Sequence, residues 1–178
     1  MKKEVLLMAI LFLSSAIITG LTGCDKDKEC KEWEQTPIEP QALLNTTWKC
    51  AGFVDIESCK IKKPKCPEWR DCTNDYTFTF TNDTASEYNP WYFMDTIARG
   101  LKVFYGTTST NSISGTYEFD YMTGSSYITI RLTTLVGETS DGYQYCDVLP
   151  VVQYFSLQEK ELRLYYNNKR NYLLFKRQ

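Results

Sequence analysis

The chain has 178 residues, 24% of them charged and 43% hydrophobic, with 20 Lys and Arg against 22 Asp and Glu, seven cysteines and no histidine. Without histidine there is no Ser-His-Asp or Cys-His arrangement and no His-ligated zinc site, so general acid–base chemistry would fall to carboxylates, tyrosine or lysine. A formal net charge of −2 carries no basic patch of the kind that holds nucleic acid, and the length suits one domain with a real core.

The N-terminus has three parts: the positive pair Lys2 and Lys3, an apolar run from Val5 to Ile18 broken only by Ser14 and Ser15, and a small, permissive stretch from Gly20 to Gly23. That order is a secretory signal peptide. The run is short for a transmembrane helix, which needs about 20 residues. Leu21-Thr22-Gly23-Cys24 resembles the lipobox of bacterial lipoproteins. The resemblance implies removal of residues 1–23 and acylation of Cys24 by diacylglycerol and a further, palmitate-type chain. Each acyl chain contributes about 0.8 kcal/mol per buried methylene, so two or three chains anchor firmly. The rival reading is an ordinary secretory signal followed by a structural cysteine; position, flanks and tetrapeptide together favour the lipobox.

Residues 24–41 read as a lipidated, flexible tether: charged, poor in aliphatics and punctuated by Pro37 and Pro40. DKDKE after Cys24 loosely resembles the signal that sends some Gram-negative lipoproteins to the cell surface. A solvated spacer on a periplasm-facing lipoprotein explains it equally well. The expectation is an outer membrane lipoprotein of a Gram-negative bacterium, its face undecided.

The body, residues 42–178, opens with Thr46–Asp55, a strand anchored by Trp48 and Phe53. Cys59 to Thr73 is a loop around Pro64 and Pro67. With Cys24 set aside, Cys30, Cys50, Cys59, Cys66, Cys72 and Cys146 allow up to three disulfides in an exported protein. Six cysteines permit fifteen pairings, among which sequence does not choose. Cys59, Cys66 and Cys72 suggest a stapled loop, one of Cys50 and Cys146 a link between distant elements, and Cys30 a free or intermolecular thiol. No C-x-x-C pair occurs, so no metal or other cofactor is expected. The basic clusters Lys60–Lys65 and Lys169–Arg177 are short and read as solvated surface.

Asp75–Asn82 alternates strictly, with Tyr76, Phe78 and Phe80 on one face and threonines on the other, as in a half-buried antiparallel strand. The stretch Asn82–Thr110 is long and rich in aromatics, and such loops are often functional. Phe93, Ile97, Leu101 and Phe104 are spaced four, four and three apart, which favours an amphipathic helix docked on the sheet. Trp91, Tyr92 and Tyr88 are then the candidates for ligand binding. Thr84 and Thr96, in Asp-Thr-aliphatic triplets, resemble O-glycosylation acceptors of some Gram-negative envelopes.

Ile113–Tyr121 and Tyr127–Leu132 alternate again, with a turn at Met122–Ser125. Gly142–Val152 has helical spacing at Tyr145, Val148, Leu149 and Val152, with Ser140 or Asp141 as cap and Pro150 ending or kinking it. Gln153–Leu157, Leu162–Tyr166 and Tyr172–Lys176 close the chain as a meander. Many short strands mean a sandwich or barrel, so the fold class is mainly β (α+β).

Leu43 and Trp48, then Asn111, Ser114, Gly115 and Tyr117, then Leu149, then Leu162, Leu164 and Tyr165 with Leu173, Leu174 and Phe175 together resemble the META/HslJ-like domains of small bacterial lipoproteins. The resemblance spans most of Leu43 to Phe175. It implies an antiparallel open or half β-barrel around one short helix and no catalytic residues. Family members are associated with envelope stress and with a cleft that takes an apolar or peptide ligand; a related architecture pilots other envelope proteins. The long Asn82–Thr110 stretch departs from the family, which has a short connection there.

Three functions compete. The aromatic share of 15% and the missing histidine favour a non-enzymatic binding or accessory lipoprotein for a peptide, glycan or small apolar ligand. An assembly or pilot-type factor contacting another envelope protein is the alternative. A carboxylate-pair hydrolase is disfavoured, because Glu138–Asp141 and Glu159–Glu161 read as solvated turn charges. The expected partners are the membrane, through the N-terminal lipid, and an envelope protein, peptide or glycan, but not nucleic acid.

Overall fold

The computed structural model describes residues 40–66, 69, 71–73, 75–85, 100–134, 136–158 and 160–178. A 3-10 turn, Pro40–Ala42, leads into strands β1 (Thr47–Asp55), β2 (Lys60–Lys62), β3 (Thr77–Thr84), β4 (Lys102–Thr107), β5 (Ser112–Asp120) and β6 (Ser125–Leu132). Helix α1 (Ser140–Val148) and a 3-10 turn (Leu149–Val151) follow, and β7 (Tyr154–Gln158), β8 (Glu161–Tyr166) and β9 (Asn171–Arg177) complete the chain.

The strands are antiparallel neighbours in the order β2-β1-β3-β4-β5-β6-β7-β8-β9, and β1 also pairs with β9, which makes the sheet ring-like. One edge of β1 is taken entirely by β9, from Trp48↔Arg177 to Asp55↔Asn171. Its other edge is divided: Thr47–Lys49 pairs with β3 and Phe53–Asp55 with β2. The ring is weakest between β6 and β7, joined in register only at Ser125↔Tyr154. Packing spans that seam, where Phe119 of β5 stacks on Phe155 of β7 with centroids 4.3 Å apart.

Alternation decides which side chains fill the ring. Trp48, Phe78, Phe80, Phe104, Ile113, Tyr117, Leu164 and Phe175 belong to the inner cluster and are essentially inaccessible. Each such side chain contributes about 1.5–3 kcal/mol by leaving water. Gly115 has to be glycine: a Cβ there would stand 1.9 Å from the Thr129 carbonyl oxygen and 2.7 Å from the Phe104 ring. The ring of Phe104 occupies the space that a side chain on β5 would need.

Helix α1 plugs the ring. Tyr145 is fully buried, edge-on to Tyr76 at 5.4 Å and tilted against Phe78 at 5.9 Å. The helix is shorter than its apolar spacing predicts and is capped by Thr139 rather than Ser140 or Asp141. The Thr139 hydroxyl accepts from the Gly142 N–H at 3.1 Å and lies 3.1 Å from the Tyr76 hydroxyl. That second contact, from a residue 63 positions away, fixes the cap where local sequence leaves a choice. Pro150 lies in the 3-10 turn, past the helix end.

The Asn82–Thr110 stretch differs from expectation at its C-terminal part. Phe104 lies on β4, not on a helix, and is paired with Phe80 and Gly115. Gly100, at φ +83°, stands in the left-handed region just before the strand, and Phe93 and Ile97 of the expected helix lie outside the described residues. The Cys59–Thr73 loop likewise contains a strand, β2, held by Phe53, Val54 and Asp55.

The expectation of up to three disulfides meets one described bridge, Cys66–Cys72, with Cα atoms 5.7 Å apart. Cys50, Cys59 and Cys146 carry free thiols. Cys50 faces the inner core of β1, Cys146 lies on α1, and Cys59 is exposed beyond β1, so they belong to three separate places.

Candidate functional site

The site is a cleft of 620 Å³ at one end of the ring, between the β1–β2 hairpin, α1 and the ends of β8 and β9. Phe53, Ile61 and Tyr166 give it an apolar floor, and Asp55, Lys60, Lys62, Gln144 and Asn171 supply polar groups. Small-molecule sites have this character: a concave apolar surface of about 300–1,000 Å³ with a few convergent polar groups.

The hairpin is held over the cleft by the start of α1. Lys62 Nζ lies 2.6 Å from Asp141 Oδ1 and donates to Gln144 Oε1 at 2.8 Å. The backbone N–H of Lys65 donates to Asp141 Oδ2 at 2.8 Å. Asp141 is only 2% exposed. Burial alone would raise its carboxyl pKa, but the hydrogen bonds from Lys62 and Lys65, with the charges of both lysines, bring it below the ordinary value. Asp141 and Lys62 are therefore structural ties, not the solvated turn and surface charges that composition suggests. Asp55, also lining the cleft, accepts from the Ser58 N–H and hydroxyl at 2.7 Å each and from Asn171 Nδ2 at 3.4 Å. The Ser58 bonds lower its pKa, so the cleft presents a carboxylate at neutral pH.

A polar network sets the register of α1. Glu138 accepts from Thr108, Ser109 and Asn111. Burial raises its pKa, but these bonds outweigh that and leave it below the ordinary value. Asn111 also receives the Val136 N–H at 2.9 Å and donates to the Val136 carbonyl at 2.7 Å. The asparagine of the N-x-x-S-G-x-Y stretch thus anchors the connection into α1.

A second hollow of 470 Å³ on the outer face of β1 and β9 is basic, lined by Lys49, Lys63, Lys176 and Arg177. Lys49 stands opposite Lys176 in the strand register, and its ammonium donates to the Cys72 and Thr73 carbonyls at 2.6 and 2.5 Å.

Among the described residues no group of three or more His, Cys, Asp or Glu side chains could hold a metal. Burial pushes the Cys50 thiol up to about 12 and the Cys146 thiol up to about 11, and thiols so raised are poor nucleophiles at neutral pH. Of the residues singled out from sequence, Thr84 is exposed at the end of β3. Cys24, Cys30, Tyr88, Trp91, Tyr92 and Thr96 lie outside the described residues. Sequence reasoning missed the cleft residues Asp55, Lys62, Gln144 and Asn171. The only available signal was the density of lysine beside the cysteine loop.

No family model matches the chain. It is 26% identical over 178 residues, covering 99% of this chain and 97% of the relative, to a protein of Tannerella forsythia described as "Putative lipoprotein". Its fold is similar to the crystal structure of a DUF4847 family protein from Bacteroides vulgatus, with a TM-score of 0.52, 17% identity, and coverage of 76% of this chain and 94% of the other. That likeness concerns the fold alone.

Proposed function

We propose that the protein is an envelope-anchored lipoprotein, acylated at Cys24, that acts as a non-enzymatic binding module for a peptide, glycan or small apolar ligand. The observation that carries this reading is the cleft between the β1–β2 hairpin and α1: an apolar floor at Phe53, Ile61 and Tyr166, lined also by the Asp55 carboxylate and the side chains of Lys60, Gln144 and Asn171. An apolar floor beside a carboxylate and amide groups suits a ligand with hydroxyl or amine groups on an apolar frame. The lipobox stretch Leu21–Cys24 and the likeness to a lipoprotein over 99% of the chain support the anchor. The outer membrane and the META/HslJ-like assignment belong to this same reading; the latter rests on the motif order and the ring around one helix.

The test is native mass spectrometry of the mature protein purified from its own membrane, beside a Tyr166→Ala variant. A co-purifying small molecule lost in the variant supports the cleft. A bare wild-type protein that gains no thermal stability from peptides or oligosaccharides defeats it.

An assembly role contacting another envelope protein is the second reading. Trp69, 78% exposed inside the loop closed by Cys66–Cys72, favours it, because a tethered aromatic offers large contact area at low entropic cost. A stoichiometric protein partner released by Trp69→Ala is the expected mark of that role.

A further inference from the structure

The basic hollow beside β1 and β9 is shaped by a fault in their pairing. Their register shifts between Cys50 and Gly52, which leaves Ala51 as an extra residue. Such bulges re-aim side chains and are frequent beside functional sites. Here Ala51, Ile61 and Leu174 give the hollow an apolar floor, and Lys49, Lys63, Lys176 and Arg177 line it with charge. Lys49 and Lys176 stand directly opposite each other in the register, and like charges so placed repel. Little acid answers them. The Lys49 ammonium is held by the neutral carbonyls of Cys72 and Thr73, with the Asp71 carboxylate within reach of its charge. Lys176 lies 4.0 Å from Glu161, whose other oxygen takes Arg163 at 2.8 Å. Lys63 and Arg177 are exposed, and among the described residues no ion pair holds either. Gln178, which carries the terminal carboxylate, lines the hollow as well. A chain of formal charge −2 thus gathers four cations around one apolar floor.

We propose that this hollow takes the headgroup of an anionic phospholipid, its phosphate among Lys63, Lys176 and Arg177 and its glycerol and first acyl carbons on the floor of Ala51, Ile61 and Leu174. Charge complementarity selects the anion, and the apolar floor selects a lipid over a free inorganic ion. The proposal rests on the envelope anchor inferred above for the presence of a bilayer. Cations near an anionic bilayer add to the hold of a lipid anchor, and a fixed set of them also sets orientation. The ligand cleft lies farther along the same strand. Residues 49–51 line the hollow and residues 53–55 the cleft, with Ile61 lining both. Lys49 and Asp55 are about 20 Å apart along an extended strand. A ring gripped at Lys63, Lys176 and Arg177 therefore turns the Asp55 end of the cleft away from the bilayer and leaves it open.

The test uses the mature chain, residues 24–178, with Cys24→Ser, so that no acyl chain contributes to binding. It is sedimented at low salt with vesicles of phosphatidylcholine alone, or of phosphatidylcholine and phosphatidylglycerol, two to one. Binding to the mixed vesicles and not to the neutral ones is expected. Lys63→Gln and Arg177→Gln should each weaken it about fivefold, with unchanged circular dichroism spectra. Arg170→Gln removes an exposed cation from the other end of β9 and should leave binding as it was. Absence of binding to the mixed vesicles overturns the proposal, and so does an equal loss in all three variants, which would mark unspecific charge attraction. Displacement of the vesicles by millimolar glycerol 3-phosphate overturns it too, because the ligand would then be a soluble phosphate ester. Failure here leaves acylation at Cys24 standing, whereas a mature mass without acyl chains would defeat the anchor and leave this result as it is.

Discussion

Lys62 on β2 and Asp141 in the first turn of α1 are 79 positions apart in the chain and 2.6 Å apart in the structure. This contact ties a hairpin that sequence reads as loop to the helix that plugs the ring, and it forms the closed side of the cleft. Its energetic weight is unequal, since Lys62 is half exposed and Asp141 almost inaccessible.

Removing the acid leaves a solvated lysine, whereas removing the lysine strands a buried carboxylate. Lys62→Ala should therefore destabilise more than Asp141→Asn, by about 2 against about 1 kcal/mol, measured by urea unfolding. The folded Asp141 carboxyl titrates below its unfolded value of about 4. Its contribution is therefore fully present above that value and is lost as pH falls through the lower folded one. The wild type should lose more stability than Asp141→Asn on acidification below about pH 4.

The three described free thiols should react in order of access. Cys59 is exposed, Cys146 is half-buried with its thiol raised to about 11, and Cys50 is buried with its thiol raised to about 12. Iodoacetamide at pH 8, followed by peptide mass analysis, should label Cys59 first and Cys50 only on unfolding. Labelling of Cys66 or Cys72 without a reductant would contradict the bridge.

Gly115→Ala should be among the most damaging single-atom additions in the molecule. The new Cβ meets the Thr129 carbonyl at 1.9 Å, which is backbone and cannot swing aside. A loss of about 3 kcal/mol or more follows from overpacking of this kind, read as a fall in the thermal midpoint.

Tyr145→Phe should go the other way. The Tyr145 hydroxyl is buried in the inner core and has no hydrogen-bond partner among the described residues, and an unsatisfied buried polar group costs about 1–3 kcal/mol. Deleting it should leave stability unchanged or raise it by up to about 1 kcal/mol. A clear loss of stability would show that the hydroxyl is held by a group such as an ordered water.

Much of the fold is legible in the chain because strands announce themselves locally. Tyr76, Phe78 and Phe80 alternate with threonines, and β3, β5, β6 and the closing meander fall within two residues of where that period places them. β4 is different. Its Lys102-Val-Phe-Tyr run continues an apparent helical spacing, and what excludes a helix is Gly100 at positive φ and the pairing of Phe104 with Phe80 and Gly115. β2 is three residues long and exists only because β1 has a free edge beyond β3. The helix cap is decided by Tyr76, far away in sequence.

The candidate site was less legible still. Asp55, Lys62, Gln144 and Asn171 are ordinary polar residues in unremarkable positions, and nothing about their spacing says that they converge. By itself the sequence determined the mainly β class, the inner aromatic set and the absence of histidine chemistry, because composition and short-range period carry those properties. Only the tertiary structure decided which of the described cysteines pair, that β1 meets β9 to make the sheet ring-like, that Asp141 is buried, and that Tyr165 and Tyr172 are buried on the outer face. Each of these depends on contacts between residues tens of positions apart, whose geometry no local pattern encodes.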